Sequence, residues 1–338
     1  MDRAACGILP QAGQGLTLAF ELPPGLPYNE PVSNDANDSV NASTRYCAVF
    51  GHPIRHSASP AMQNAGLAAL GLNWRYLAFD VHPDHLRPAL EGARRMGFIG
   101  LNLTVPHKLL ALDMVDVLDG QAGAWGAVNT IGFEARGPSG QWAPVGTFDT
   151  PPRGEVRSRG FNTDADALVQ ALKEAFDRPG WRGAAVLLLG AGGVARAAAL
   201  RLAREEPSAL YLVNRTQGRA SELAAVIANR CPGVRVVLGY PPASVDLVIN
   251  ATSLGLRPAD PLPLDPQWLQ TRRPQFVFDM NYRPMETGLL RAARAAGCRA
   301  ANGAGMLLHQ GTRALELWTG RPAPVEVMRA ALEKNLNE

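Results

Sequence analysis

The sequence has few cysteines, no long apolar run and no strong excess of charge of one sign. The cysteines are Cys6, Cys47, Cys231 and Cys298. No two of them form a C-x-x-C pair, so the sequence indicates neither a zinc site nor a disulfide framework. This use of cysteine is typical of a reducing compartment, and we expect a cytoplasmic protein. No stretch approaches the roughly twenty apolar residues that a membrane helix needs, and the start of the chain lacks the features of a signal peptide.

Charge is sparse and nearly balanced. The chain has 33 Lys+Arg against 30 Asp+Glu. So small and scattered an excess argues against a nucleic-acid partner, which would need a clustered basic face, but it suits a small anionic ligand. The length of 338 residues predicts two domains, because a single core rarely serves more than about 300 residues. The sequence does not distinguish a monomer from a homodimer.

Two series of alternating strands and helices follow residues 1–44, a segment whose composition predicts a disordered or loosely packed arm. The first series has predicted strands at 45–50, 74–80, 98–105 and 127–133, and helices at 60–72, 84–96 and 106–118. A surface loop or hairpin is expected at 135–160. The second series has helix 164–176, strands near 184–190, 208–213, 234–238, 245–250 and 275–279, and a helical stretch at 304–335. This alternation predicts an α/β fold with parallel βαβ units.

A glycine-rich turn joins a buried strand to a helix. It consists of Gly190, Ala191, Gly192, Gly193 and Val194. The first glycine allows a tight turn, and the second lets the backbone approach a pyrophosphate. Free N–H groups at the helix start would bind the diphosphate. In this strand–turn–helix context the motif predicts a dinucleotide site rather than an ordinary turn.

The end of the next strand predicts which dinucleotide binds. An NAD site expects Asp or Glu about twenty residues after the motif, to hold the ribose 2′-hydroxyl. Here Asn214, Arg215 and Thr216 begin 24 residues after Gly190, and Arg219 follows one helical turn later. Two guanidinium groups and a hydroxyl suit a 2′-phosphate, because arginine binds phosphate oxygens with a planar fork. We therefore predict NADP, with an exposed basic loop as the alternative.

Lys108 and Asp164 are the candidate catalytic residues. Lys108 lies in the first turn of the predicted helix 106–118, whose buried face we expect to be Leu109, Leu112, Val115 and Leu118. A cation there opposes the helix dipole, and such a local violation points to function. Asp164 begins helix 164–176, where its carboxylate could orient the ammonium and share a proton with it. The alternatives are a solvated lysine and a plain helix-end acid.

Two serines and a glutamine are candidate substrate contacts. Ser57 and Ser59 precede a helix, where hydroxyls beside free N–H groups make a neutral clamp for a carboxylate. Ser59 alone could instead be an N-cap. Gln310 lies on an apolar helix face, where a polar side chain needs a partner. The histidine pairs at 52/56 and 82/85 fall in loops and turns, so we predict no metal site.

Nine short motifs in one order resemble the shikimate dehydrogenase family. They are HSASP at 56–60, NLTVPHK at 102–108, GAVNT at 126–130, NTD at 162–164, GAGG at 190–193, NRT at 214–216, NATS at 250–253, DMNY at 279–282 and GAGMLLHQ at 303–310. The resemblance covers about residues 45–335. Nine motifs in order are far more specific than any one of them.

The resemblance implies reversible reduction of 3-dehydroshikimate to shikimate with NADPH, with Lys108 as the acid/base group and Asp164 as its partner. It implies a substrate carboxylate near Ser57, Ser59 and Tyr282. The residues implied for the ring hydroxyls are Thr104, Asn129, Asp164 and Gln310. Those implied for the cofactor include Met280 and Gly303.

The family fold implies an N-terminal substrate domain with an open βαβ sheet, over 45–163 and 303–338, to which the C-terminal helices return. It implies a Rossmann-like NADP domain over 164–302, with the active site in the cleft between the two. The segment between Asn129 and Asn162 is longer than in most of the family and could reshape the mouth of the cleft. Phe161 and Ala165 also depart from the usual pattern, and the N-terminal arm is extra.

Two other functions remain open at this point. A dehydrogenase of the same family could act on quinate or an aminoshikimate, because a few hydroxyl contacts distinguish these rings. A catalytically silent NADP-binding sensor is also possible, but such a protein would be expected to lack Lys108 or Asp164.

Overall fold

The computed structural model describes residues 40–257 and 259–338. None of the helices in this part of the chain has both the length and the hydrophobicity of a membrane-spanning segment. The last residues of the predicted arm are structured: the buried Thr44 donates its backbone N–H to the Asn41 carbonyl and its hydroxyl to the Asn73 side chain at 3.0 Å. The prediction of disorder is therefore wrong for residues 41–44, and residues 1–39 lie outside the described part of the chain.

Strands from the first half of the chain form a mixed sheet. They are β1 (Arg45–Gly51), β2 (Trp74–Asp80), β3 (Gly100–Leu103), β4 (Val117–Leu118), β5 (Thr130–Arg136), β6 (Trp142–Pro144) and β7 (Val156–Phe161). Their order is β2-β1-β3-β5-β7-β4, with β6 paired to β5. The first three strands are parallel, as predicted, whereas β5 runs antiparallel to β3 and β7. The carboxyl ends of β1, β2 and β3 therefore meet at one edge.

The helix predicted at 106–118 is wrong. The helices of this half are α1 (Ser59–Ala69), α2 (Leu86–Arg95), α3 (His107–Leu110) and α4 (Gly120–Trp125). After α3 the chain makes a 3-10 turn over Ala111–Asp113 and then enters β4. Leu109 and Leu118 are exposed, so the predicted apolar face does not form. A short helix, a turn and a strand in succession gave the apolar residues a helix-like spacing.

The segment 135–160 was predicted as a loop or hairpin but contains more structure. It holds the β5–β6 hairpin, a 3-10 turn over Val145–Thr147, and most of β7. Arg45, the first residue of β1, donates to the Val145 and Phe148 carbonyls at 2.7 and 2.9 Å. This part of the long segment thus lies at the amino ends of the parallel strands. It does not border the cavity described below, which opens at their carboxyl ends.

Strands from the second half form a parallel sheet. They are β8 (Ala185–Leu189), β9 (Ala209–Val213), β10 (Val236–Leu238), β11 (Leu247–Asn250), β12 (Phe276–Asp279) and β13 (Arg299–Asn302). Their order is β10-β9-β8-β11-β12-β13. The helices α5 (Asp164–Phe176), α6 (Gly193–Ala203), α7 (Gln217–Arg230), α8 (Pro266–Arg272) and α9 (Gly288–Ala295) complete this Rossmann-like unit. The strand order reverses between β8 and β11, the place where such sheets bind ligands.

The final helices pack against the first sheet's core, as predicted. They are α10 (Ala304–Thr319) and α11 (Val325–Asn337). Trp318 is fully buried, and its indole N–H donates to the Ile131 carbonyl of β5 at 3.0 Å. Met328 and Leu332 of α11 belong to the same apolar cluster. The chain therefore leaves the first half for the second sheet and returns to it at α10.

Candidate active site

A cavity opens where the carboxyl ends of strands from both sheets face each other. Its walls come from the loops after β1 and β3 in one sheet, from the loops after β11 and β12 in the other, and from the first turns of α10. The predicted site residues that line it are Ser57, Ser59, Thr104, Lys108, Asp164, Val194, Met280, Tyr282, Gly303 and Gln310. Residues separated by up to about 250 positions in the chain are thus brought to one cavity by the fold.

The cavity contains the predicted lysine–carboxylate pair. Lys108 Nζ donates to Asp164 Oδ2 at 2.6 Å. The side chains are 15% and 5% exposed, so little water screens their interaction. A short, charge-assisted hydrogen bond in such surroundings fixes the direction of the ammonium. The arrangement can deliver a proton to, or remove one from, an oxygen placed in the cavity.

Tertiary contacts, rather than a helix dipole, hold Lys108 in place. Helix α3 has four residues, too few for the dipole argument drawn from the sequence. The Lys108 carbonyl accepts the Val128 N–H at 2.8 Å. Gly193 of the glycine-rich turn lies close to the Lys108 side chain, where an added Cβ would stand 3.5 Å from the lysine Cβ. The turn and the lysine are therefore neighbours.

The buried His107 next to Lys108 points away from this chemistry. Its Nε2 lies 2.9 Å from the Val81 carbonyl, so this nitrogen carries the proton. Burial lowers the pKa of the imidazole, although the bond to Val81 opposes the shift. A neutral ring fixed in one tautomer ties the start of α3 to the end of β2.

The two serines and Tyr282 meet at one end of the cavity. Helix α1 begins at Ser59, its N-cap position is Ala58, and no side chain caps it. The N-cap alternative for Ser59 is therefore wrong: its N–H donates to Ser57 Oγ at 3.3 Å. Burial raises the pKa of the Tyr282 hydroxyl, and the Ala58 backbone, the charge of Arg283 and the Ser57 hydroxyl oppose the shift.

The other predicted substrate contacts differ in their accessibility. Thr104 lies at the cavity wall, and Gln310 lines it while its Nε2 donates to the Leu307 carbonyl at 2.8 Å. Asn129 is buried and does not border the cavity. Its Oδ1 accepts the Thr163 N–H at 2.7 Å and its Nδ2 donates to the Thr163 hydroxyl at 2.9 Å. The arrangement around Asn129 thus positions the residue before Asp164.

Sequence reasoning missed several residues of the cavity wall. Asn102, whose Oδ1 accepts the Tyr76 hydroxyl at 2.7 Å, is buried at its edge. The other unpredicted residues in the wall are Val49, Ile54, His56, Leu103, Val105, Ala251, Thr252, Ser253, Leu256, Asn281, Arg283, Met306 and Leu307. All but Val49, Ile54 and Leu256 stand within or beside one of the nine motifs. Proximity to a motif was therefore the available signal, but it does not tell which side chains face inward.

The glycine-rich turn has the geometry that a dinucleotide requires. Gly190 has a φ of +112°, and a Cβ there would stand 2.9 Å from the Ala251 carbonyl oxygen. Gly192 is the N-cap residue of α6, and no side chain caps this helix. The position where a Cβ of Gly192 would stand is open space. The start of α6 therefore leaves room beside Gly192 for a diphosphate, a group that the free N–H groups of a helix N-terminus bind.

The basic residues after β9 are exposed. Asn214 Nδ2 donates to the Thr216 carbonyl at 2.8 Å and shapes the turn. Arg215 and Arg219 are exposed and take part in no ion pair between described residues. Their guanidinium groups are therefore free to bind a phosphate.

A buried carboxylate organises the opposite wall. Asp279, at the end of β12, is fully buried and accepts Asn250 Nδ2 at 2.9 Å, the Asn281 N–H at 3.1 Å and the Thr287 hydroxyl at 2.7 Å. Burial raises its pKa to about 6 against these hydrogen bonds. The next residue, Met280, packs so closely on Gly303 that a Cβ at Gly303 would lie 2.1 Å from the Met280 carbonyl oxygen.

Family models match most of the described chain. Residues 49–131 match the shikimate dehydrogenase substrate-binding domain, 170–254 match the shikimate/quinate 5-dehydrogenase model, and 303–333 match the shikimate 5'-dehydrogenase C-terminal domain. A shikimate dehydrogenase (NADP(+)) of Moorella thermoacetica is 43% identical, over 87% of this chain and 95% of that protein.

Similar solved structures include shikimate and quinate dehydrogenases. A shikimate dehydrogenase crystallised with NADP+ has a TM-score of 0.75 and 33% identity, and it covers 89% of this chain and 98% of its own. The Thermus thermophilus enzyme in complex with NADP(H) and shikimate has a TM-score of 0.70 and 35% identity, over 86% and 99%. A quinate dehydrogenase from Corynebacterium glutamicum, in complex with NAD, has a TM-score of 0.70 and 30% identity over the same shares.

Proposed function

This chain belongs to the shikimate dehydrogenase family, and we propose that it catalyses the NADP-dependent, reversible reduction of 3-dehydroshikimate to shikimate. The observation that carries the proposal is the Lys108–Asp164 pair, with 2.6 Å between nitrogen and oxygen, in the cavity beside the glycine-rich turn. A ketone held there would have a proton donor on one side and a cofactor site on the other.

The residues of the cavity have separate proposed roles in catalysis and in substrate binding. Lys108 donates a proton to the carbonyl oxygen as negative charge develops on it, and it takes the proton back in the reverse direction. Asp164 holds the ammonium in position and, with Thr104 and Gln310, contacts ring hydroxyls. Ser57, Ser59 and Tyr282 hold the ring carboxylate, while Asn129 acts by fixing Thr163. The pairing of Lys108 and Asp164 argues against a catalytically silent sensor.

The residues of the second sheet fit NADP. Gly190, Ala191, Gly192, Gly193 and Val194 would hold the diphosphate. The group proposed for the adenosine 2′-phosphate is Asn214, Arg215, Thr216 and Arg219, and Met280 and Gly303 would lie by the nicotinamide. When bound, the reduced cofactor supplies the hydride. We place the substrate domain at 45–163 and 303–338, and the NADP domain at 164–302.

One assay tests the proposed activity directly. Purified protein is mixed with NADP+ and shikimate, quinate or neither, and the absorbance of the reduced cofactor is followed. Shikimate should be oxidised with the higher kcat/KM. A higher kcat/KM with quinate would assign the chain to the quinate dehydrogenases of the family, and no oxidation of either acid would refute the proposed function.

We predict that Arg215→Ala weakens NADP+ binding by about 1.5–3 kcal/mol, the range for hydrogen bonds to charged groups, and leaves NAD+ binding unchanged. The reason is that NAD+ lacks the phosphate that the guanidinium would contact. Dissociation constants measured by fluorescence titration check this. Arg235→Ala, another exposed arginine without an ion-pair partner among the described residues, is the matched control. Equal losses for the two cofactors would contradict the assignment.

A further inference from the structure

Arg283 lies at the end of the cavity where Ser57, Ser59 and Tyr282 meet. The sequence predicted no role for this residue. It follows Tyr282 in the loop after β12 and lines the cavity together with Ser57 and Ser59. Burial raises the pKa of Tyr282 and lowers that of His56, and the charge of Arg283 opposes the first shift and adds to the second. Arg283 is therefore within electrostatic range of the place where the serines and Tyr282 meet.

Among the described residues of the cavity wall, Arg283 carries the charge that no opposite charge balances. Lys108 and Asp164 neutralise each other at 2.6 Å. Burial and the nearby guanidinium lower the pKa of His56, so at neutral pH its imidazole is uncharged. Among the described residues, no carboxylate lies within ion-pair distance of Arg283. A fixed positive charge beside hydroxyl donors in a partly enclosed cavity attracts an anion.

The guanidinium is held on one side and free on the other. Its Nη2 donates to the Asn335 backbone carbonyl at 2.6 Å and approaches Asn335 Oδ1 at 3.3 Å. Its Nε and Nη1 make no hydrogen bond with any residue of the described chain. Helix α11 therefore fixes the orientation of Arg283 and leaves its other donors available, as for a carboxylate ligand.

We propose that Arg283 is a specificity residue that selects a ring bearing a carboxylate over a neutral ring, by adding a charged contact to the neutral clamp of Ser57, Ser59 and Tyr282. This inference rests on the proposed function, because it assigns a role within that site. It gives α11 a function as well, since Asn335 orients the guanidinium.

The test compares an acid and its neutral ester. KM and kcat are measured with NADP+ for shikimate and for methyl shikimate, using the full chain and its Arg283→Gln, Arg283→Lys and Arg55→Gln variants. Arg55, exposed in the loop before His56 and not part of the cavity wall, is the matched control. Arg283→Gln should raise KM for shikimate about 10-fold to 100-fold, with a much smaller change in kcat and none in KM for the ester.

Two further results complete the test. Arg283→Lys should recover part of the preference for the acid, and added salt should raise KM for shikimate less in Arg283→Gln than in the parent protein. Equal changes in KM for acid and ester in Arg283→Gln would show a structural role and overturn the inference, as would an unchanged KM for shikimate. Inactivity of the parent protein with shikimate would instead refute the proposed function itself, so the two failures are distinguishable.

Discussion

Replacing Lys108 with alanine should lower kcat by about 10²–10⁴, the usual contribution of general acid–base catalysis. KM should change less, because the negative charge that the ammonium meets develops mainly in the transition state. Steady-state kinetics in both directions, with NADP+ and shikimate or NADPH and the ketone, measure the effect. Lys173→Ala is the matched control, since Lys173 lies in the last turn of α5 and is not part of the cavity wall.

The partner carboxylate provides the second half of this test. Asp164→Asn should also lower kcat, because an amide holds the ammonium less firmly than a carboxylate does at 2.6 Å. The double variant should lose much less activity than the two single losses multiplied together, because groups that act as one unit are non-additive. A Lys108→Ala protein with the parental kcat and a raised KM would make Lys108 a binding residue. Fully independent effects would mean that the observed ion pair has no part in catalysis.

The motifs located the site from sequence because each combines a residue type with a local backbone shape. Gly190 is required by its positive φ and by the closeness of Ala251, and such a requirement is visible in the sequence as a glycine. Strong alternation of apolar segments likewise predicted β1, β2 and the strands from β8 to β12. These features depend on neighbours in the chain, and that is why they could be predicted.

What could not be predicted depends on contacts between distant parts of the chain. The apolar spacing from Leu109 to Leu118 is helical, yet the ladder between β4 and β7 ends the helix early, pairing Val117 with Arg159 and Leu118 with Gly160. Strand β13 has the sequence RAAN, with little β propensity, and exists because β12 offers it a free edge. Ser59 looked like an N-cap by sequence, but its N–H is bonded to Ser57 instead.

The same limit applies to the buried residue that precedes Met280 of the cavity wall. Asp279 belongs to a motif, and the resemblance marked its neighbour Met280 rather than Asp279 itself. Its importance follows from burial and from three donors that arrive from β11, from its own loop and from Thr287, which caps α9. No sequence pattern predicts a buried carboxylate that accepts so many hydrogen bonds.

Replacing Asp279 with alanine should therefore lower the free energy of unfolding by at least about 3 kcal/mol, because each donor left without a partner in a buried site costs about 1–3 kcal/mol. Asp279→Asn should cost much less. Its amide oxygen can accept the N–H groups of Asn250 and Asn281, and its amide nitrogen can donate to the Thr287 oxygen. Urea unfolding of the protein without ligands, with equal m values for the variants, measures the difference.

The pH dependence of the difference in stability between Asp279→Asn and the parent protein tests the contribution of the carboxylate. The pKa of Asp279 is raised to about 6 in the folded protein, against about 3.9 in an unfolded chain. Between these two pH values the folded state binds the proton more tightly than the unfolded state, so this group's contribution to stability falls as pH rises and is constant above the folded pKa. The two-unit shift corresponds to about 3 kcal/mol.

Asp279→Asn lacks this titration, so between pH 4 and pH 7 its stability should rise relative to the parent protein by a similar amount. A constant difference between the two proteins across that range would mean that Asp279 keeps an ordinary pKa despite its burial.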